Sequence, residues 1–433
     1  MAPLFKISLV SLVALAILAI RGLAKSHLIP IELSGTWLAD DYKYDATSSW
    51  RSESVNGFQK SLLNTSSNFY DTARLRLEGN LPHRLAQNNV VFLRINRAKH
   101  LLANRLIKVL YDQDGRSIIE KPGIRERSFV RCMFTGYVEG EIQASVSVNM
   151  CNGLAGTIRK GNNEFHLHNT NTAGVLTHSF EVVQSNRSAR IFKCGTRQPS
   201  HKRRHKRQSV NFNKNFGIEA RFIEVALVIS KGFSAEMRGA GITPINRAYE
   251  VVNIASNLIQ QLGAYVVIVA IEDWSYGNHI NLPTTDPFYS AGLALTAFKQ
   301  YVKQRMIGQI PHDLAILLVG GDETHGFDGI VGKSIQDSIC RSWGSVVLIE
   351  DSPDSTAHAT ATFLAHELGH SLGLSHDHQY ELHDDTYPYP CKSECNDAYS
   401  GKPDDGSSSC VMAAHIDTGM LIQRWSFSWE VQI

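Results

Sequence analysis

Four histidines and one glutamate fall within residues 362–380, TFLAHELGHSLGLSHDHQY. Leu364, Leu368 and Leu372 recur at every fourth position and form one stripe of a helix, expected over 360–372. His366 lies about 200° round from Leu364, so the helix has a leucine face and, roughly opposite, an imidazole face. His366 and His370 are one turn apart, close enough for both rings to reach a single metal at about 2.0–2.1 Å. Glu367 points about 100° away from His366, which suits a carboxylate beside a metal better than a ligand. Gly373 can take the left-handed conformation that ends a helix, and the resulting turn can return His376 to the metal. Three histidines leave the fourth tetrahedral position to water, the arrangement of a catalytic zinc and not of a structural one.

The complete spacing is HExxHxxGxxHD, and an amphipathic helix that carries histidines by chance does not supply six specified positions. HExxHxxGxxH followed by a methionine turn is the metzincin signature, and Met412 in CVMAAH is placed for that turn. His366, Glu367, His370, Gly373, His376 and Asp377, together with CVM at 410–412, resemble the adamalysin (reprolysin) branch of the metzincins, the ADAM and ADAMTS proteases. RFIEVALVIS at 221–230, IEDWS at 271–275 and HDLAILLVG at 312–320 are similar to that family's first three strands, so the resemblance covers nearly all of 208–433.

The resemblance implies an α/β metzincin zinc-protease domain with a twisted, mostly parallel sheet, an antiparallel edge strand and an active-site helix. Local pattern agrees: strands are expected near 219–230, 264–274, 313–319 and 345–350, and helices near 245–262 and 294–307. Alternating strands and helices imply right-handed crossovers. The antiparallel edge, to which an extended substrate would add itself as a strand, is expected at 344–351. Zinc would acidify its water, Glu367 would accept the proton as general base, and no side chain would become covalently attached.

The N-terminus bears on the compartment. Lys6 precedes fourteen apolar-dominated residues, 7–20, which fit a signal peptide ending at Ala24 and fall short of the roughly 20 that span a bilayer. An uncleaved signal anchor is the competing reading. No other stretch is long and apolar enough for stable membrane insertion, so a secreted product is expected, in the extracellular space or matrix. Seven cysteines and two glycosylation sequons, at Asn64 and Asn186, suit an oxidising export route. A net charge of +2 gives no case for nucleic acid as a partner.

HKRRHKR at 201–207 holds five Lys or Arg among seven residues. Such a run can be a solvated basic patch. In an exported chain, Arg204, Lys206 and Arg207 also match the pattern cut by furin-like convertases, and the run lies just before the protease resemblance begins. The expected division is a signal peptide at 1–24, a β-rich propeptide at 25–207 and a zinc metalloprotease domain at 208–433. Cys194, in FKCGT, resembles the cysteine switch of metzincin zymogens, whose thiolate takes the water's place on zinc. A plain disulfide is the other use of this residue. Cys132 and Cys151 resemble the paired cysteines of ADAM-type propeptides. His166 and His168, in EFHLH, share one strand face and read as ordinary strand residues.

The chain departs from its relatives near the C-terminus. WSFSW carries Ser428 where the family has a cysteine, so Cys340 lacks its usual partner, and Cys410 is expected to pair with Cys391 or Cys395. The family's calcium site has its matching carboxylates in Glu224 and Asp313, but its tail ligands are absent, which leaves a weak site at most. Disintegrin-like, thrombospondin-type and cysteine-rich modules are absent up to Ile433, so a minimal or truncated product is expected. The implied substrates are extracellular matrix or cell-surface proteins. The alternative is a secreted adhesion or decoy protein that keeps the fold without catalysis, and the intact Glu367 and three histidines weigh against it.

Overall fold

The computed structural model describes residues 29–38, most of 72–183, 191–194, most of 221–374, 412 and 415–417; within those spans 80, 82, 84, 86–88, 99, 122–129, 151–153, 161–162, 173–174, 283–290, 325–326, 328–329, 340 and 342–343 lie outside the description. Cys151, His376, Asp377, Cys340, Cys391, Cys395, Cys410, the basic run with Arg204, Lys206 and Arg207, the signal segment and both sequons, Asn64 and Asn186, also lie outside it.

The N-terminal part begins with β1 (Ile29–Leu38), β2 (Thr72–Gly79) and β3 (Val90–Arg97), leaves for a hairpin of β4 (Leu102–Tyr111) and β5 (Ser117–Glu120), and returns as β6 (Met133–Val138). It continues through β7 (Glu141–Asn149), β8 (Ala155–Lys160), β9 (Asn163–Thr172) and β10 (Val175–Val183). Without the hairpin, these strands close an antiparallel barrel in the order β1-β10-β9-β8-β7-β6-β3-β2. Alternation fills its interior: Ala73, Leu75 and Leu77 of β2 and Val91, Leu93 and Ile95 of β3 point inward with Phe134, Phe165 and Phe180. Cys132 is disulfide-bonded. The Met133↔Asn149 register carries Cys132 to the side of Met150, whose N–H donates to the Cys132 carbonyl at 2.9 Å.

After β11 (Ile191–Cys194) come β12 (Arg221–Ile229), α1 (Lys231–Gly239), α2 (Pro244–Ile259), β13 (Ala264–Asp273), α3 (Ala291–Tyr301) with a π-helical turn at Val302–Met306, and β14 (Leu314–Val319). Then follow β15 (Ile330–Ser334), β16 (Val346–Glu350), α4 (Ala357–Ser371) and β17 (His415–Asp417). One sheet runs β17-β11-β15-β16-β14-β12-β13-β4-β5. Its centre, β16-β14-β12-β13, is paired in parallel. Consecutive residues of β12 serve two cores: Val225, Leu227 and Ile229 face α2 and α4, and Ala226 and Val228 face α3 and Trp274.

The antiparallel strand is β15, paired with β16 through Gly332↔Ile349 and Ser334↔Val347. It was expected at 344–351, but β16 lies inside the sheet between β14 and β15. The physical reason is in VVLI: a continuous apolar run, fully buried at Val346, Val347, Leu348 and Ile349, belongs to a strand covered on both faces.

One buried ion pair sets the start of α4. Arg247 of α2 donates from Nε and an Nη to the two carboxylate oxygens of Asp351, each at 2.9 Å, and reaches the Ser355 carbonyl at 2.7 Å. Thr360 Oγ1 donates to Asp351 at 2.6 Å. Thr356 caps the helix, its side chain accepting from Ala359 N at 3.2 Å. Among the described residues no helix is long and apolar enough to cross a membrane.

Candidate metal centre

The helix α4 is buried along nearly its whole length, packed against α2, β15 and β16. Leu364 and Leu368 are fully buried on one side, and His366, Glu367 and His370 are at most 2% exposed on the other. The two imidazoles stand one turn apart, ring centroids 4.6 Å and planes at 90°.

The last turn fixes the chemistry of His370. Gly373 has φ +96°, its N–H donates to His370 O at 2.8 Å, and Leu374 N donates to Gly369 O at 2.9 Å. This is a Schellman ending, which only a residue tolerant of positive φ closes without strain. It also presents the Leu374 carbonyl to His370 Nδ1 at 2.8 Å. A carbonyl only accepts, so Nδ1 carries the proton and Nε2 is the basic nitrogen, as metal-ligating histidines require.

Glu367 is held from β15. Ser334 Oγ donates to Glu367 Oε2 at 2.6 Å. Gly332, two residues earlier on the same strand face, leaves room for the carboxylate: a Cβ there would stand 3.0 Å from both Glu367 Cγ and Oε1. Sequence reasoning missed Gly332, Ser334 and the Leu374 carbonyl. The only local signal was the small-residue pair in IVGKS.

Met412 is fully buried in the same core cluster as Leu364, Ala365 and Leu368. Cys194 ends β11, whose backbone pairs in parallel with β15, Lys193↔Ile330 and Cys194↔Gly332. The other edge of β11 pairs with β17, three residues beyond Met412, through Ile191↔Asp417 and Lys193↔His415. Glu224 and Asp313 are brought together at the far end of β12: Asp313 Oδ2 accepts from Glu224 N at 2.9 Å, and Asp313 N donates to Glu224 O at 2.8 Å. Among the described residues no three His, Cys, Asp or Glu side chains converge on one metal position. His366 and His370 offer two imidazole nitrogens of the kind that zinc takes, and a third ligand is not found among the described residues.

Residues 221–422 match the family model described as Reprolysin (M12B) family zinc metalloprotease. Among solved structures, the chain is similar to one titled "Structure of a chaperone-substrate complex" at 16% identity and a TM-score of 0.28, over 37% of this chain and 24% of that one. This chain thus spans about a quarter of that chain's length, and a likeness so slight carries no argument. The matched region holds the whole of α4 and the strands β12 to β16, and it is this stretch, residues 221–422, that is consistent with the reprolysin family of zinc metalloproteases.

Proposed function

We propose that the chain is a secreted zinc endopeptidase made as a latent zymogen, with His366, His370 and His376 as zinc ligands and Glu367 as the catalytic base. The observation that carries this reading is the buried His366–Glu367–His370 turn of α4, with His370 oriented by the Leu374 carbonyl and Glu367 by Ser334. Bound zinc supplies Lewis-acid polarisation of a carbonyl and a water of lowered pKa. With zinc held there, Glu367 would act as the proton carrier, taking a proton from the attacking water and giving it to the departing amine. Ser334 keeps the carboxylate aimed, and Gly332 keeps its path clear.

Latency is supported by the position of β11. An extended substrate would add to the outer edge of β15, and residues 191–194 fill that edge in the full chain. Cys194 lies one strand spacing, about 4.8 Å, from Gly332, so its thiolate is a candidate for the fourth zinc position. In this reading, residues 25–207 are the propeptide, a furin-like convertase cuts after Arg207, and Cys132 bonds Cys151. Asp377 and Met412 support the zinc floor, and Glu224 with Asp313 forms no more than a weak calcium site. Extracellular matrix or cell-surface proteins are the substrate class.

The test is hydrolysis of a peptide library by chain recovered from the medium of secreting cells. Cleavage after processing, abolished by a zinc chelator and restored by zinc, supports the reading. Retention inside the cell, or cleavage insensitive to chelation, contradicts it.

A further inference from the structure

The N-terminal part holds the protease sheet at both ends. At the cleft end β11 covers β15, and at the far end the β4–β5 hairpin extends β13. The barrel does not need this hairpin to close, because β3 pairs directly with β6. Instead β4 runs parallel to β13, with Ala270↔Ile107, Glu272↔Val109 and Asp273↔Leu110, and Ile268 N donates to Leu101 O at 2.8 Å.

Side chains strengthen the pairing. Leu101 and Leu106, with Val130 and Met133 beside them, are buried in the same core cluster as Val266, Ile268 and Leu258 of the protease domain. His100 packs against Phe222 and Tyr265, ring centroids 5.5 and 6.1 Å away. At the end of β4, Tyr111 donates its hydroxyl to Glu272 at 2.5 Å and packs its ring at a tilt against His279, ring centroids 3.9 Å apart. Glu272 is 3% exposed and also accepts from Tyr301 and from Trp274 Nε1. A buried carboxylate in such a cluster is costly to strip of a donor.

We propose that the β13 edge of the protease sheet is a strand-docking surface whose occupant is the hairpin 102–120 of this chain, and that this contact keeps the N-terminal part bound after the connecting segment is cut. The proposal rests on reading residues 25–207 as a propeptide. Its consequence is that cutting alone does not activate: β11 stays on β15 until the hairpin leaves β13. The freed edge, with unpaired backbone groups over a buried core, is then a site for another extended segment.

The experiment uses the full chain with residues 201–207 replaced by the site of a sequence-specific protease, so that it does not depend on convertase processing. After cutting at micromolar concentration, native mass spectrometry and gel filtration should find the two fragments together, with the amides of 268–273 protected from hydrogen exchange. Tyr111→Phe, which keeps the ring, should loosen the complex about tenfold. Separation of the wild-type fragments on cutting, or equal exchange at 268–273 before and after the fragments are parted, overturns the proposal. Convertase digestion of the unaltered chain reads the processing assignment separately, and failure there leaves this test standing.

Discussion

The backbone of Cys194 pairs with that of Gly332, the β15 residue at which a Cβ would stand 3.0 Å from the Glu367 carboxylate. An N-terminal segment, a strand of the sheet and Glu367 on the helix therefore meet within about two strand spacings. Three elements far apart in sequence converge there, and each can be perturbed alone.

Gly332→Ala puts a methyl group against Glu367 Cγ and Oε1 and 3.3 Å from Ile349 Cδ1. The carboxylate has to move by a few tenths of an ångström, while His366 and His370, which the added methyl does not meet, do not. Peptide hydrolysis by the processed enzyme should fall at least about tenfold with zinc content unchanged. Loss of zinc in this variant would mean that β15 supports the histidines and not the base.

Ser334→Ala removes the hydroxyl that donates to Glu367 at 2.6 Å. The backbone edge of β15 stays intact, so, if an extended substrate pairs there, kcat should fall roughly tenfold with KM little changed. Steady-state kinetics separates the two. A rise in KM alone would assign Ser334 to substrate binding.

Cys194→Ser tests the thiol apart from the strand. If sulfur is needed for latency, the uncut variant hydrolyses peptide and the uncut wild type does not. Equal silence would show that β11 blocks β15 by occupation alone.

The hairpin contact should respond to pH through His279. Burial lowers its pKa, Arg305 lowers it further, and Glu272 opposes both; Tyr111 and Tyr301 are the other titratable groups facing it. A cavity of about 540 Å³ bordered by Tyr111, Glu272, His279, Tyr301 and Arg305 gives protons a path to the ring. With the pKa depressed in the assembled state, the neutral imidazole is the bound form. Its contribution is complete above the ordinary value of about 6.5 and is lost as pH falls from there through the depressed value. The cut complex should hold together better at pH 7.5 than at 5.5, by native mass spectrometry, and His279→Asn should flatten the difference. Tighter association at the lower pH would reverse the assigned sign.

Much of α4 was legible because its signals are local. The leucine period, the HExxH spacing and the terminal glycine all lie within one segment; the helix starts at Ala357 and not 360, because Thr356 caps it, and ends at Ser371 and not 372, where Leu372 is the cap. The strand β15 was not legible: IVGKS is five residues long and contains a glycine. The edge was assigned to 344–351 because that run is the more strand-like, although unbroken apolar character marks an interior strand. The β4–β13 pairing joins segments more than 150 residues apart, and no local pattern encodes that contact.

Asp351→Ala should test how α4 is anchored. Asp351 is fully buried, and its removal strands Arg247 without its carboxylate. Breaking such a pair costs about 3–5 kcal/mol, visible as a lower denaturant midpoint for the full chain. A change within error would mean that the pair contributes nothing to the placement of the helix.

The most direct measurement compares processed wild type with Glu367→Ala, zinc being counted by atomic absorption and hydrolysis followed with a fluorogenic peptide. Expected are about one zinc in each protein, three histidines being enough to hold it, and a loss of roughly 10²–10⁴ in turnover for the variant. Near-normal turnover by Glu367→Ala, or a wild type that binds no zinc, would contradict the assignment of this helix as the catalytic centre.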